Sequence, residues 1–120
     1  MKTVLVVEDD LSLQDTMRRT LAPLPVVTVE ARDGFEAVVF AKSYPPDLVL
    51  LDLTMPRLDG WAVLHVLRDF PPTRNVPVVI VTGDATLDER TARDAGAAAL
   101  VQKPFSPRAL RAQVHLLLGA

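Results

Sequence analysis

Leu48-Val49-Leu50-Leu51-Asp52 is an unbroken apolar run that ends in a carboxylate, and Thr54-Met55-Pro56 with Asp59-Gly60 follows at once. A strand buried on both faces has no polar side to alternate with, so it reads as a continuous apolar run. A carboxylate fits as its last residue where the strand emerges at the sheet edge. Two further runs end the same way. Thr3-Val4-Leu5-Val6-Val7 meets Glu8-Asp9-Asp10, and Val78-Val79-Ile80-Val81 meets Thr82. A fourth, Leu100-Val101-Gln102, meets Lys103. In an open α/β sheet, ligands bind outside the carboxyl ends of the strands. Acids, a hydroxyl and a lysine are thus gathered at one edge.

Five strands alternate with five helices along the chain. The strands are predicted over Thr3–Val7, Val26–Ala31, Leu48–Asp52, Val78–Val81 and Leu100–Gln102. Helices are expected over Ser12–Leu21 (face Leu13, Met17, Leu21), Gly34–Ser43 (face Phe35, Val38, Val39) and Gly60–Phe70 (face Trp61, Leu64, Leu67). The last, Ser106–Leu118, carries Leu110, Val114 and Leu117, with Ser106 as N-cap and Pro107 at the first helical position. The fourth helix, Leu87–Ala95, has little apolar surface to dock and should be the least anchored. Prolines fall mostly between elements and sharpen the boundaries. This alternation predicts right-handed βαβ units and a parallel sheet covered on both faces. The second strand, opened by Pro25 and carrying Thr28 and Glu30, suits an edge; the first, third and fourth belong in the middle.

Composition narrows the function. At 120 residues with 49% hydrophobic and 23% charged side chains, the chain reads as one globular domain spanning residues 1–120. A net charge of −2 without a basic stripe argues against direct nucleic-acid or membrane binding. The absence of cysteine excludes disulfides and thiol chemistry. No apolar run reaches membrane-spanning length and the first residues do not form a signal peptide, so a cytoplasmic location is expected. Only three of the thirteen basic residues are lysines, which singles out Lys103.

Glu8, Asp9 and Asp52 at neighbouring strand tips would repel one another. A hard divalent cation relieves that conflict. With oxygen donors alone on offer, Mg²⁺ is the natural guest and Mn²⁺ the alternative, held by one or two carboxylates and several waters. Lys103 then serves as a point charge for a phosphoryl oxygen and Thr82 as a short donor to another. An ionised Asp52 needs no general base to attack phosphorus and form an aspartyl-phosphate. Each residue alone has a plainer reading. Asp52 could be a turn residue, Glu8-Asp9-Asp10 a solvated turn with Asp10 capping the first helix, and Thr82 a strand-end hydroxyl on backbone. Four strand ends each bearing the required group favour the chemical reading. His65 and His115 read as helix-surface residues, and Trp61 and Phe70 as packing.

These pieces (Val6-Val7-Glu8-Asp9-Asp10, Leu51-Asp52-Leu53-Thr54-Met55-Pro56 with Asp59-Gly60, Val81-Thr82-Gly83 and Gln102-Lys103-Pro104-Phe105) resemble the receiver domain of bacterial two-component response regulators. The resemblance covers the whole chain. It implies a flavodoxin-like, doubly wound five-stranded parallel sheet in the order 2-1-3-4-5, with five helices on both faces. It further implies that Asp52 accepts a phosphoryl group from a sensor histidine kinase or phosphotransfer protein. Asp9 would ligate Mg²⁺ directly, Glu8 mainly through water, and the Thr54 backbone carbonyl would be a further ligand. Thr82 and Lys103 would engage the phosphoryl group, and the bond before Pro104 would be cis. Output would pass to a downstream target protein or an effector domain outside this chain. Two departures stand out: Glu8 replaces the commoner Asp, and Leu100 stands where the family usually has an aromatic switch residue. Thr54 and Asp84 occupy positions that tune autodephosphorylation.

Three functions compete. The first is a Mg²⁺-dependent phospho-acceptor, a signalling domain rather than an enzyme. The second is a phosphorylation-independent docking module of the same fold, to which Leu100 lends weight. The third, a phosphatase that forms an aspartyl-phosphate, wants a second Asp two residues after the nucleophile, and Thr54 stands there.

Overall fold

Alternation along each strand decides which residues meet which layer of helices. The computed structural model describes residues 1–55 and 58–119, so Pro56 of the quoted motif lies outside the described residues. Five parallel strands run β1 (Lys2–Val7), β2 (Val26–Ala31), β3 (Leu48–Asp52), β4 (Val78–Thr82) and β5 (Ala99–Gln102). Their order in the sheet is β2-β1-β3-β4-β5, as the resemblance implied, with β2 at an edge. The helices between them are α1 (Leu11–Leu21), α2 (Gly34–Ser43), α3 (Gly60–Asp69), α4 (Glu89–Asp94) and α5 (Pro107–Leu118).

Leu5, Val7, Val49, Leu51, Val78 and Ile80 face one layer, where they pack with Ala37 and Ala41 of α2, Val63, Leu64 and Leu67 of α3, and Ala92 of α4. Val4, Val6, Leu48, Leu50, Val79 and Val81 face the other, against Met17 and Leu21 of α1 and Leu110 and Val114 of α5. The central strands are buried on both sides because successive side chains point to opposite faces. Each of their Leu, Ile and Val side chains contributes about 1.5–3 kcal/mol by leaving water.

Every helix starts on a side chain that accepts backbone N–H groups. Asp10, Asp33, Asp59, Asp88 and Ser106 are the N-caps of α1 to α5. Such caps satisfy donors that have no partner within the helix. Ser106 followed by Pro107 is the start the sequence predicts, and Asp10 is the cap it suggests.

Four expectations change. The apolar face of α2 is as expected only at Val38, which is half-buried against the core: Gly34, Ala37 and Ala41 are the buried residues, whereas Phe35 is 57% and Val39 52% exposed. Close approach is the reason, since a Cβ on Gly34 would lie 2.1 Å from the carbonyl oxygen of Leu58. Only small residues fit between α2 and that backbone. Helix α4 is shorter than predicted, six residues with Ala92 as its one buried side chain, so its poor docking is confirmed in sharper form. Helix α3 stops at Asp69, and Pro71–Thr73 forms a separate 3-10 turn. Phe70 is half-buried with the Lys42 ammonium 5.4 Å from its ring centre. Trp61, expected to pack, is 37% exposed.

Candidate functional site

Asp52 ends β3 almost out of contact with solvent, at 4% exposure. The backbone N–H of Thr54 donates to its Oδ1 at 3.3 Å, which holds the carboxylate toward the turn. That turn is tight because α3 returns directly over the strand end. The Gly60 N–H donates to the Leu53 carbonyl at 2.9 Å, and a Cβ on Gly60 would sit 2.5 Å from the Asp52 carbonyl oxygen. Any larger residue at this position would push the helix off the site. Asp59 starts α3 by accepting the Ala62 N–H at 2.9 Å.

The end of β1 is fastened differently. Glu8 donates its N–H to the Ala31 carbonyl at 3.0 Å, continuing the pairing with β2. From α1 the buried Gln14 side chain donates through Nε2 to the carbonyls of Glu8 at 2.6 Å and Ala31 at 3.2 Å. Glu8 is consequently 1% exposed, and its Oε2 accepts the Asp10 N–H at 3.3 Å. Asp9, the next residue, is exposed at the mouth of the site.

Thr82 and Lys103 close the site from β4 and β5. Thr82 is buried, and its hydroxyl accepts the Asp84 N–H at 3.1 Å. The Lys103 N–H donates to the Thr82 carbonyl at 2.7 Å, which ties the two strand ends together. The Lys103 ammonium lies 3.0 Å from Glu8 Oε1 and 3.5 Å from Asp52 Oδ1. The Lys103–Pro104 peptide bond is cis.

Glu8, Asp9 and Asp52 each offer a carboxylate oxygen, and these atoms lie within 4.8 Å of one another. Together with Asp10, Leu13, Thr54, Thr82, Gly83, Asp84 and Lys103 they line a cleft of about 420 Å³. Burial, reinforced by repulsion from Asp52, pushes the Glu8 carboxyl up to about 7 even though bonds from Lys103 and Asp10 pull it down. For Lys103, burial opposes the charge, but the bond to Glu8 and the field of Glu8 and Asp52 carry its pKa above the usual lysine value. Three acids with one ammonium leave an excess of negative charge in a partly desolvated space. An all-oxygen donor set of this kind fits a hard divalent cation.

The structure brings Glu8, Asp9, Asp52, Thr54, Thr82 and Lys103 to one cleft. His65 and His115 are exposed on α3 and α5, outside that cleft. Two contributors escape a reading of the sequence. Gln14 sits beside the predicted apolar face of α1 in the polar run Gln14-Asp15-Thr16, and nothing in the sequence sets it apart. Trp61 lines a neighbouring hollow of about 300 Å³ with Thr54, Met55, Asp59, Thr82 and Asp84. A third hollow, about 410 Å³ and lined by Leu13, Thr16, Lys103, Pro104, Phe105 and Pro107, opens on the other side of Lys103.

Comparison with known proteins agrees with this geometry. A family model described as the response regulator receiver domain matches residues 4–115. The probable transcriptional regulator ycf27 of Cyanophora paradoxa is 37% identical over 119 residues, covering 98% of this chain and 48% of that protein. The response regulator MprA of Mycobacterium ulcerans is 37% identical over 116 residues, 96% of this chain and 49% of the relative. The chain thus spans about half the length of the curated relatives it matches. Among solved structures, the receiver domain of a Francisella response regulator superposes with a TM-score of 0.90 at 29% identity, over 99% of this chain and 98% of that one. The receiver domain of a sensor histidine kinase from Pseudomonas aeruginosa PAO1, solved with a magnesium ion coordinated in its active site cleft, gives 0.89 at 28% identity over the same shares. With the strand order, the cleft at the strand ends and these matches in agreement, the chain belongs to the response regulator receiver domain family of two-component signalling systems.

Proposed function

We propose that residues 1–120 form one receiver domain that takes a phosphoryl group onto Asp52 in a Mg²⁺-dependent reaction and signals by changing shape. The observation that carries this reading is the Asp52 carboxylate at the end of β3, within 4.8 Å of oxygens of Glu8 and Asp9 and 3.5 Å from the Lys103 ammonium. A carboxylate oxygen of Asp52 attacks phosphorus; the bond from phosphorus to the donor's imidazole nitrogen breaks, and its electron pair stays on that nitrogen. Glu8, Asp9, Asp52 and the Thr54 carbonyl would hold Mg²⁺, which when bound offsets negative charge on the phosphoryl oxygens. Lys103 leaves Glu8 for a phosphoryl oxygen, and the Thr82 hydroxyl donates to another. Positioning and charge neutralisation supply the catalysis, so no further base is needed.

The donor is a sensor histidine kinase or phosphotransfer protein, and the apolar hollow beside Lys103 offers it a place to seat near Asp52. Downstream, the partner is a target protein or an effector domain outside this chain. Among the described residues no helix is long and apolar enough to cross a membrane. A cytoplasmic setting fits a kinase-loaded domain. Autodephosphorylation is the one other reaction expected of it.

Acetyl phosphate with and without Mg²⁺, followed by intact mass, tests the reading. We predict one phosphoryl adduct in the presence of Mg²⁺, none without it, and none in Asp52→Asn, because an amide is not a competent nucleophile. The adduct should be lost in base. Full labelling of Asp52→Asn would refute the assignment. A phosphorylation-independent docking module is the second reading, favoured by Leu100 at the position where an aromatic side chain would report the phosphoryl group; an unlabelled wild type would support it.

A further inference from the structure

Gln102, the last residue of β5, pairs in register with Thr82, the last residue of β4. Its side chain is exposed, yet it is tied down. Nε2 donates to the carbonyl oxygens of Asp84 and Leu87, both at 3.1 Å. Two acceptors determine the orientation of the amide, because only its nitrogen can donate to them. Both carbonyls belong to the loop that joins Thr82 to α4.

The rest of that loop is bonded within itself or to its own strand. Asp84 Oδ1 accepts from the Thr86 N–H at 2.9 Å and the Thr86 hydroxyl at 2.6 Å, and the Leu87 N–H donates to the Asp84 carbonyl at 3.3 Å. The Asp84 N–H rests on the Thr82 hydroxyl. Among the described residues, Gln102 alone sends side-chain hydrogen bonds into segment 83–87 from another strand. Helix α4, which follows, adds a single buried side chain.

Sheet order gives this attachment a direction. Strand β4 lies between β3 and β5, with Asp52 in register with Val81 on one side and Gln102 in register with Thr82 on the other. A group on Asp52 that engages the Thr82 hydroxyl draws the loop toward β3. Gln102 holds it from β5. We infer that Gln102 is a positioning residue, a clasp that keeps the loop after Thr82 in its resting place and opposes loading of the Asp52 site. The inference rests on the phospho-acceptor reading of that site.

Beryllofluoride with Mg²⁺ serves as the probe, titrated into the full chain and read by the fluorescence of Trp61, the one tryptophan, which lines the hollow beside Thr54, Thr82 and Asp84. Gln102→Met keeps length without a donor, Gln102→Glu keeps shape but when ionised cannot donate, and Gln102→Lys restores donors at the tip. Gln102→Met and Gln102→Glu should bind beryllofluoride about three- to tenfold more tightly, the scale of one or two net hydrogen bonds. Gln102→Lys should stay within about twofold of wild type, as a restored donor requires. Without ligand, amide exchange over 84–88 should quicken in the Met and Glu variants and return toward wild type in Lys. Equal or weaker binding by Gln102→Met, unchanged exchange, or a Lys variant that behaves like Met overturns the inference while leaving the phospho-acceptor reading intact. A wild type that gives no response to beryllofluoride overturns both.

Discussion

The two halves of the strand-end edge are built on opposite terms. On the β1–β3 side, Glu8 and Asp52 are almost fully buried and pinned by Gln14, the Asp10 turn and the Gly60 contact. On the β4–β5 side, residues 83–86 are exposed and lead into a six-residue helix with one buried residue. Repelling carboxylates can be kept together only by a scaffold that does not yield. A segment meant to move must come from the low-stability end of the structure, with few buried apolar contacts. The first half suits the proposed phosphoryl chemistry and the second suits reporting it.

The largest test of that division concerns metal. If the acidic half is a preformed site, Asp9→Ala should lose about 100-fold or more in Mg²⁺ affinity, whereas Glu8→Ala, acting mainly through water and through Lys103, loses about tenfold. Isothermal titration with Mg²⁺ alone would check it. Equal losses would show that the buried and the exposed acid do not divide the work as stated.

A second test uses the proton on Glu8. Its folded pKa of about 7 stands above its ordinary 4.5. The stability it contributes without metal is therefore fully present below about 4.5 and lost as the pH rises through about 7, by roughly 3 kcal/mol at most. Mg²⁺ favours the ionised carboxylate, so its affinity should rise over the same window. Urea unfolding from pH 4.5 to 8, with chelator and with Mg²⁺, reads both effects, and Glu8→Gln should flatten the metal-free slope. A metal-free stability that climbs across this window in wild type would contradict the assignment.

The smallest effect is expected at Leu100. It is half-buried against the α2–α4 layer and has no ring to reorient. By area it can bias an equilibrium by about 1–2 kcal/mol. A shift from mostly inactive to mostly active needs about 5.5 kcal/mol. If Asp52 is phosphorylated as proposed, direct contacts of Thr82 and Lys103 with the phosphoryl group must supply most of the remainder. Leu100→Ala should leave the phosphorylation rate within about twofold, since less than one net hydrogen bond is at stake. Amide exchange on activation should change over Gly83–Ala95 more than over Leu100–Gln102. The reverse pattern would return the switch to β5.

Much of this was readable from residue order. The central strands announce themselves because burial on both faces leaves no polar alternation, and β3 and the edge strand β2 begin and end where predicted. The acids, Thr82 and Lys103 were placed because each stands at or just beyond a strand end. Helix α2 misled for a physical reason: it is apolar nearly all round, so size rather than polarity selects the inward face. Gln14 and Gln102 left almost no trace. Their partners are backbone carbonyls at Glu8 and Ala31, and at Asp84 and Leu87, and a carbonyl far along the chain has no sequence signature.

The contact between Lys103 and Glu8 joins residues 95 positions apart. A ribosome adding about 5–20 residues per second needs on the order of ten seconds to go from one to the other. During that interval the emerging chain holds Glu8, Asp9 and, later, Asp52 without their internal ammonium. Neither β4, which completes the wall behind Asp52, nor the lysine exists until most of the domain has been made. On the proposed reading, a nascent chain would accept a phosphoryl group poorly until β5 joins the sheet and brings Lys103 to Asp52.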